Sequence, residues 1–201
     1  MADIGIIDYG MGNLHSVQKA LQAVGAQAEL VTGAGRLTEF RKLILPGVGA
    51  FGDAMNNLTA RGLLPGIHAV LAAGTPLLGI CLGMQLLFSE SEEMGQHAGL
   101  NVLPGVVRRL RVTAKVPHMG WNQIKQRMAC PLFENVADGA FVYFANSYAV
   151  HPAQPAVIAG ETEYETTFAS VIWHNNVYGV QFHPEKSQHV GLQMLKNFVS
   201  L

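Results

Sequence analysis

Gly79-Ile80-Cys81-Leu82-Gly83 sets a cysteine between two glycines, each two residues away, where an apolar strand pattern over 77–80 gives way to helical spacing. This is the pattern of a nucleophile elbow with Cys in place of Ser. A side chain at the tip of so tight a turn takes a strained backbone, and its neighbours two away must be small for the turn to close. The helix that follows, expected over 84–89, turns its N-terminal dipole toward the sulfur and favours a thiolate. The backbone N–H of Leu82 would face an oxyanion formed at the carbon that Cys81 attacks. The competing reading of the same stretch is an inert buried cysteine among packing glycines. Cys130 precedes Pro131 in a polar segment and reads as structural.

A thiolate nucleophile needs a base. Of the eight histidines, His183 has the strongest context, in Gly179-Val180-Gln181-Phe182-His183-Pro184-Glu185. The run 177–182 is strand-like, and Pro184 ends it because it has no N–H for the ladder. In an extended segment residues i and i+2 share a side, so His183 and Glu185 are expected to meet. A carboxylate beside an imidazole fixes its tautomer and stabilises its charged form. Taken alone, the stretch reads more readily as a histidine at a strand end that caps a turn, with Glu185 in solvent. Taken with Cys81, it favours a Cys–His–Glu triad. His15, His68, His97, His118, His151, His174 and His189 have no comparable setting. No spacing of His and Cys points to a metal, and no cofactor is expected.

Two glycine-rich turns accompany these motifs. Leu45-Pro46-Gly47-Val48-Gly49 follows a strand pattern, and its glycines would let backbone N–H groups approach a ligand. It is the candidate oxyanion loop, although an ordinary strand-to-helix turn reads the same way. Gly10-Met11-Gly12-Asn13 invites a dinucleotide reading, but position 15 is His where the third glycine belongs, and no Walker A lysine occurs.

These motifs need a scaffold that brings them together. Strand patterns over 4–8, 28–31, 42–45 and 77–80 alternate with helical spacing over 14–24, 52–60 and 64–73. That order predicts an α/β fold, a mixed, mostly parallel central sheet with helices on both faces. The second half is strand-rich, over 102–112, 141–150, 156–162, 169–174 and 177–182, and closes on a helix over 190–201. No repeat or long linker interrupts the chain, so residues 1–201 are expected to form one domain. A net charge of -1 calls for neither nucleic acid nor an anionic membrane. Charged residues make up only 13%, which fits a surface partly covered by a partner and equally an efficiently folding compact domain. Two cysteines outside any C-x-x-C motif, and a start without a signal-peptide pattern, lead to the expectation of a cytoplasmic protein.

The chain also resembles a known family, the triad (class I) glutamine amidotransferases. Gly79-Ile80-Cys81-Leu82-Gly83-Met84-Gln85 and Phe182-His183-Pro184-Glu185 carry the general likeness. Within that family it resembles most the glutaminase subunits of imidazole glycerol phosphate synthase. There the likeness lies in Asp8-Tyr9-Gly10-Met11-Gly12-Asn13-Leu14, Leu45-Pro46-Gly47-Val48-Gly49-Ala50-Phe51, Pro117-His118-Met119-Gly120-Trp121-Asn122 and Pro184-Glu185-Lys186-Ser187. The resemblance implies a catalytic triad of Cys81, His183 and Glu185, and L-glutamine as substrate. It implies an oxyanion loop at Gly47, Val48 and Gly49, with the Val48 amide turning to donate. Leu82 would add an oxyanion donor, and Gln85, Ser147 and Tyr148 would line the glutamine pocket. Asn13 and Lys186 would face a partner, a (β/α)₈ barrel cyclase that receives the ammonia. Relatives commonly carry His before the Ser-Tyr or Thr-Tyr pair, where this chain has Asn146. A glutaminase serving another synthase, and a non-catalytic subunit of the same fold, remain alternative readings of the sequence.

Overall fold

The computed structural model describes residues 3–201. Fourteen strands are assigned: β1 Ile4–Ile7, β2 Ala28–Val31, β3 Lys42–Gly47, β4 Leu77–Cys81, β5 Phe88–Ser91, β6 His97–Ala98, β7 Leu103–Arg109, β8 His118–Gln123, β9 Lys125–Gln126, β10 Phe141–Asn146, β11 Tyr148–Pro152, β12 Ile158–Tyr164, β13 Thr166–His174 and β14 Val177–Val180. The α-helices are α1 Leu14–Ala23, α2 Phe51–Ala60, α3 Leu64–Ala72, α4 Leu82–Leu86 and α5 Gln188–Val199. The main sheet runs β2-β1-β3-β4-β14-β13-β11-β7-β5-β6. Its first five strands are parallel, and from β14 to β13 onward the pairing is antiparallel except between β5 and β7. Strands β8 and β10 form a separate antiparallel pair.

Periodicity explains the layers. In α1 the buried positions are Val17, Ala20 and Leu21, one stripe at helical spacing. That stripe shares a core with Met194, Leu195 and Phe198 of α5 on one face of the sheet. On the other face, Phe51, Ala54 and Leu58 of α2 pack with Ile67 and Val70 of α3. The central strands β1, β4 and β14 are buried along their whole length, as expected for strands covered on both faces. No helix among the described residues is long and apolar enough to cross a membrane.

Several boundaries differ from the sequence reading. Strand β3 runs through Pro46 to Gly47 instead of stopping at 45. The proline is tolerated because β1 leaves β3 after Ile44, so only the β4 side of the ladder continues there. The helix expected over 84–89 is instead the five-residue α4, and Phe88 opens β5. Continuous burial from Leu82 to Phe88 hides that boundary, because a run that is apolar but for Gln85 has no clear period to read. The single strand expected over 141–150 is two strands in different sheets, broken at Ser147. The last core strand ends at Val180, so Gln181 and Phe182 lie beyond it. The short strands β5, β6, β8 and β9 carry no clear alternating signal.

Candidate active site

Strand β4 lies between β3 and β14, and all three run parallel. Their C-terminal ends therefore open on one side, where an α/β sheet usually holds its ligand. Gly47 pairs with Cys81, and Val180 with Ile80, so the oxyanion-loop candidate, the cysteine and the segment leading to His183 emerge together.

Cys81 takes φ 55 and ψ -109, a left-handed turn for a residue with a side chain. Such a conformation costs roughly 1–3 kcal/mol and persists only where the surroundings enforce it. The neighbours show the enforcement. A Cβ on Gly83 would stand 1.8 Å from the Leu45 carbonyl oxygen, and one on Gly47 would stand 2.6 Å from the Tyr9 hydroxyl. Strand β3, the elbow and α4 thus touch backbone to backbone. With α4 only five residues long, less helix dipole acts on the sulfur than the sequence pattern implied. The local amides of the turn remain.

His183 Nδ1 and Glu185 Oε1 are 2.8 Å apart, and both side chains are almost wholly buried. They do not meet along an extended strand as expected. His183 is extended, and Pro184–Lys186 then forms a 3₁₀ turn closed by Lys186 N–H to the His183 carbonyl. Proline suits the first position of that turn because its φ is preset. Burial pulls the His183 pKa down, but hydrogen bonding and charge from Cys81 and Glu185 outweigh it and raise the pKa to about 9. The arrangement therefore favours an imidazolium beside the sulfur. Cys130 has a different setting, since burial lifts its pKa to about 11.

A cavity of about 280 Å³ is lined by Val48, Gly49, Cys81, Leu82, Gln85, Ser147, Tyr148, His183 and Lys186, among others. Gly47 lies beneath it, opposite Cys81. Glu185 stands behind His183, and Asn13 is not in its walls; it sits before α1, which packs against the 3₁₀ turn. A larger hollow of about 590 Å³ near Trp121 and the start of α5 contains neither Cys81 nor His183, so the chemistry belongs to the smaller one.

Four further residues belong to this site; of these only Asn146 was marked in the sequence, as a departure from the His of its relatives. Tyr9 is fully buried, and its hydroxyl donates to the Pro46 carbonyl at 2.9 Å, at the root of the loop. Its own burial first, and then the charge at Cys81, hold its pKa above the usual phenol range. Glu93 lines the cavity and accepts the Phe51 N–H at 2.8 Å, fixing the start of α2 after that loop. Gln181 reaches Cys81, and Asn146 donates to the Tyr148 carbonyl at 3.0 Å. Tyr9 and Gln181 stand inside quoted motifs, but nothing local distinguishes a polar group that touches the site from one that does not. The Gly10–Asn13 turn braces the same loop: a Cβ on Gly49 would meet the Met11 methyl at 2.8 Å.

Comparison with known proteins adds a family. The model of the family "Glutamine amidotransferase class-I" matches residues 5–201. A relative from Moorella thermoacetica, named imidazole glycerol phosphate synthase subunit HisH, is 54% identical over 100% of this chain and 96% of its own length. A protein of the same name from Syntrophotalea carbinolica is 50% identical, over 97% of this chain and 98% of its own. Among solved structures, one described as a glutamine amidotransferase aligns with a TM-score of 0.78 at 17% identity, covering 98% and 97% of the two chains. A structure of PurLQS from Thermotoga maritima aligns at 0.75 with 17% identity, over 100% of this chain and 97% of that one. At those identities the structural likeness speaks for the fold.

Proposed function

The chain belongs to the class-I glutamine amidotransferase family, and we propose that it is the glutaminase subunit of an imidazole glycerol phosphate synthase, acting in histidine biosynthesis. The observation that carries the chemistry is the buried His183–Glu185 contact of 2.8 Å beside a cysteine held at φ 55. In this reading the Cys81 thiolate attacks the side-chain amide carbon of glutamine. The tetrahedral oxyanion rests on backbone N–H groups of the Val48 loop and of Leu82. His183 gives its proton to the departing ammonia. The neutral imidazole then takes a proton from water, which attacks the γ-glutamyl thioester and releases glutamate. Glu185 holds the imidazole in the tautomer this sequence of transfers needs. Gln85 spends both N–H groups on the Tyr148 carbonyl and Gln181, so its oxygen is the atom it offers to substrate.

The partner in this proposal is a cyclase of (β/α)₈ barrel fold that consumes the ammonia. Ammonia released to water at neutral pH becomes ammonium and is no longer a nucleophile, so a docked acceptor has a chemical purpose. An exposed apolar face supports the docking. By the β8–β10 register, Met119, Trp121, Phe141 and Tyr143 share one side of that small sheet. Met119, Trp121 and Phe141 are exposed, and the Lys186 ammonium lies 5.9 Å from the centre of the Tyr143 ring. Clustered apolar exposure of this kind marks interaction surfaces. It connects through Lys186 to the cavity, and Asn13 lies at the neighbouring end of α1.

The test is glutaminase activity read by coupled ammonia detection, for the chain alone and with a barrel cyclase plus its ribotide substrate. Strong activation by the cyclase, abolished in Cys81→Ala, is the expected result. Activity indifferent to the cyclase would assign the protein to another synthase. Absence of activity in every mixture would overturn the enzymatic reading.

A further inference from the structure

Two buried side-chain amides behind the cysteine form a chain whose direction is fixed at one end. The Tyr148 carbonyl can only accept, so Gln85 must turn its nitrogen toward it, at 3.1 Å. The second N–H of that nitrogen reaches the Gln181 side-chain oxygen at 3.0 Å. With its oxygen taken, Gln181 must turn its own nitrogen the other way, and there the Cys81 sulfur lies at 3.7 Å. Reversing the Gln181 amide alone would set nitrogen against nitrogen, and reversing Gln85 alone would set oxygen against two oxygens. Gln181 is wholly inaccessible to solvent, and its backbone N–H is tied to the Ser170 carbonyl at 2.9 Å. The N–H aimed at sulfur therefore has no water to prefer.

A thiol is a weak acceptor, whereas a thiolate is an ion that draws strongly on a donor. A fixed donor in a dry site thus contributes most once the sulfur is charged. We propose that Gln181 is a catalytic residue that stabilises the Cys81 thiolate, and that Gln85 positions it by holding its amide against a flip. The inference rests on the reading of Cys81 as nucleophile. The proton that leaves Cys81 goes to His183, so the thiolate is held from two sides, by the imidazolium and by the Gln181 amide.

The experiment is alkylation of Cys81 by iodoacetamide across neutral and alkaline pH, mapped by mass spectrometry so that Cys81 and Cys130 are counted separately. Iodoacetamide is small and does not depend on the glutamine contacts. Gln181→Met keeps the side-chain length and removes the donor. It is expected to slow alkylation near neutral pH by about tenfold, the scale of one hydrogen bond to a charged group, and to move the profile to higher pH. Gln181→Glu keeps the shape and the bond from Gln85 but puts a carboxylate against the sulfur. It is expected to lose at least as much, and it carries the test if the Met variant does not fold. Gln85→Met should shift the profile in the same direction by less. Folded Gln181 variants with the wild-type profile would overturn the proposal. Wild-type Cys81 reacting no faster than Cys130 would overturn the nucleophile reading beneath it, a separate result.

Discussion

His183 is pulled two ways, and the winner decides its charge. Burial alone would hold the imidazole neutral, but Cys81 and Glu185 raise its pKa to about 9. Because the folded value stands above the unfolded one, about 6.5, the pairing stabilises the fold fully below about pH 6.5 and is lost as pH rises through 9. The melting temperature should therefore fall across that window. The fall should shrink in Glu185→Gln, which keeps the shape but removes the charge; an unchanged slope would count against the pairing. In Cys81→Ala the largest influence, burial, remains while the raising influence of Cys81 disappears. Histidine NMR should then show His183 titrating at lower pH than in the wild type. These effects belong to single residues, since they depend on which groups touch one imidazole.

Among the elements, the elbow works because β3, β4 and the short α4 meet backbone to backbone at Gly47, Gly79 and Gly83. Gly83→Ala would drive a Cβ to 1.8 Å from the Leu45 carbonyl, a clash with backbone that cannot swing aside. The expected cost is about 3 kcal/mol or more in urea unfolding, at the upper end for overpacking. Tyr9→Phe is a milder probe of the same junction. It keeps the buried ring and loses the 2.9 Å bond to Pro46, costing about 1 kcal/mol. If Tyr9 anchors the oxyanion loop, kcat should drop while the KM for glutamine holds; a parallel change in both would deny it that role. The break at Ser147 is a second device of this kind. By sending β10 and β11 into different sheets, it turns Ser147 and Tyr148 into the cavity wall.

Across the whole molecule, one exposed apolar face contrasts with a closed core. Met119 is 65% exposed within that face, so Met119→Lys has little folded packing to lose. Its melting temperature should match the wild type, while calorimetric titration with the cyclase should show binding weakened by about tenfold, as at the core of an interface. Unchanged affinity would move the docking surface elsewhere. The low charged fraction of 13% fits a protein whose surface is partly covered in use.

Local patterns in the chain were enough for the α/β order, the helix faces and the candidate residues Cys81, His183 and Glu185. Glycines two residues from a cysteine and a proline after a histidine are written in the sequence. So is the helical spacing of Leu14, Val17, Leu21 and Val24, of which Val17 and Leu21 are buried in α1 and the outer two only partly so. Everything that depends on distant backbone waited for the folded arrangement. The stretch 141–150 divides between two sheets, because β10 found β8 while β11 found β7 and β13. The helix after Cys81 is cut short, since Phe88 pairs with Leu103. Gln181 stands against the sulfur with Gln85 behind it, a contact between residues 96 apart in the chain. A buried amide looks the same in sequence whether it fills a core or faces a nucleophile, and only its partners tell the two apart.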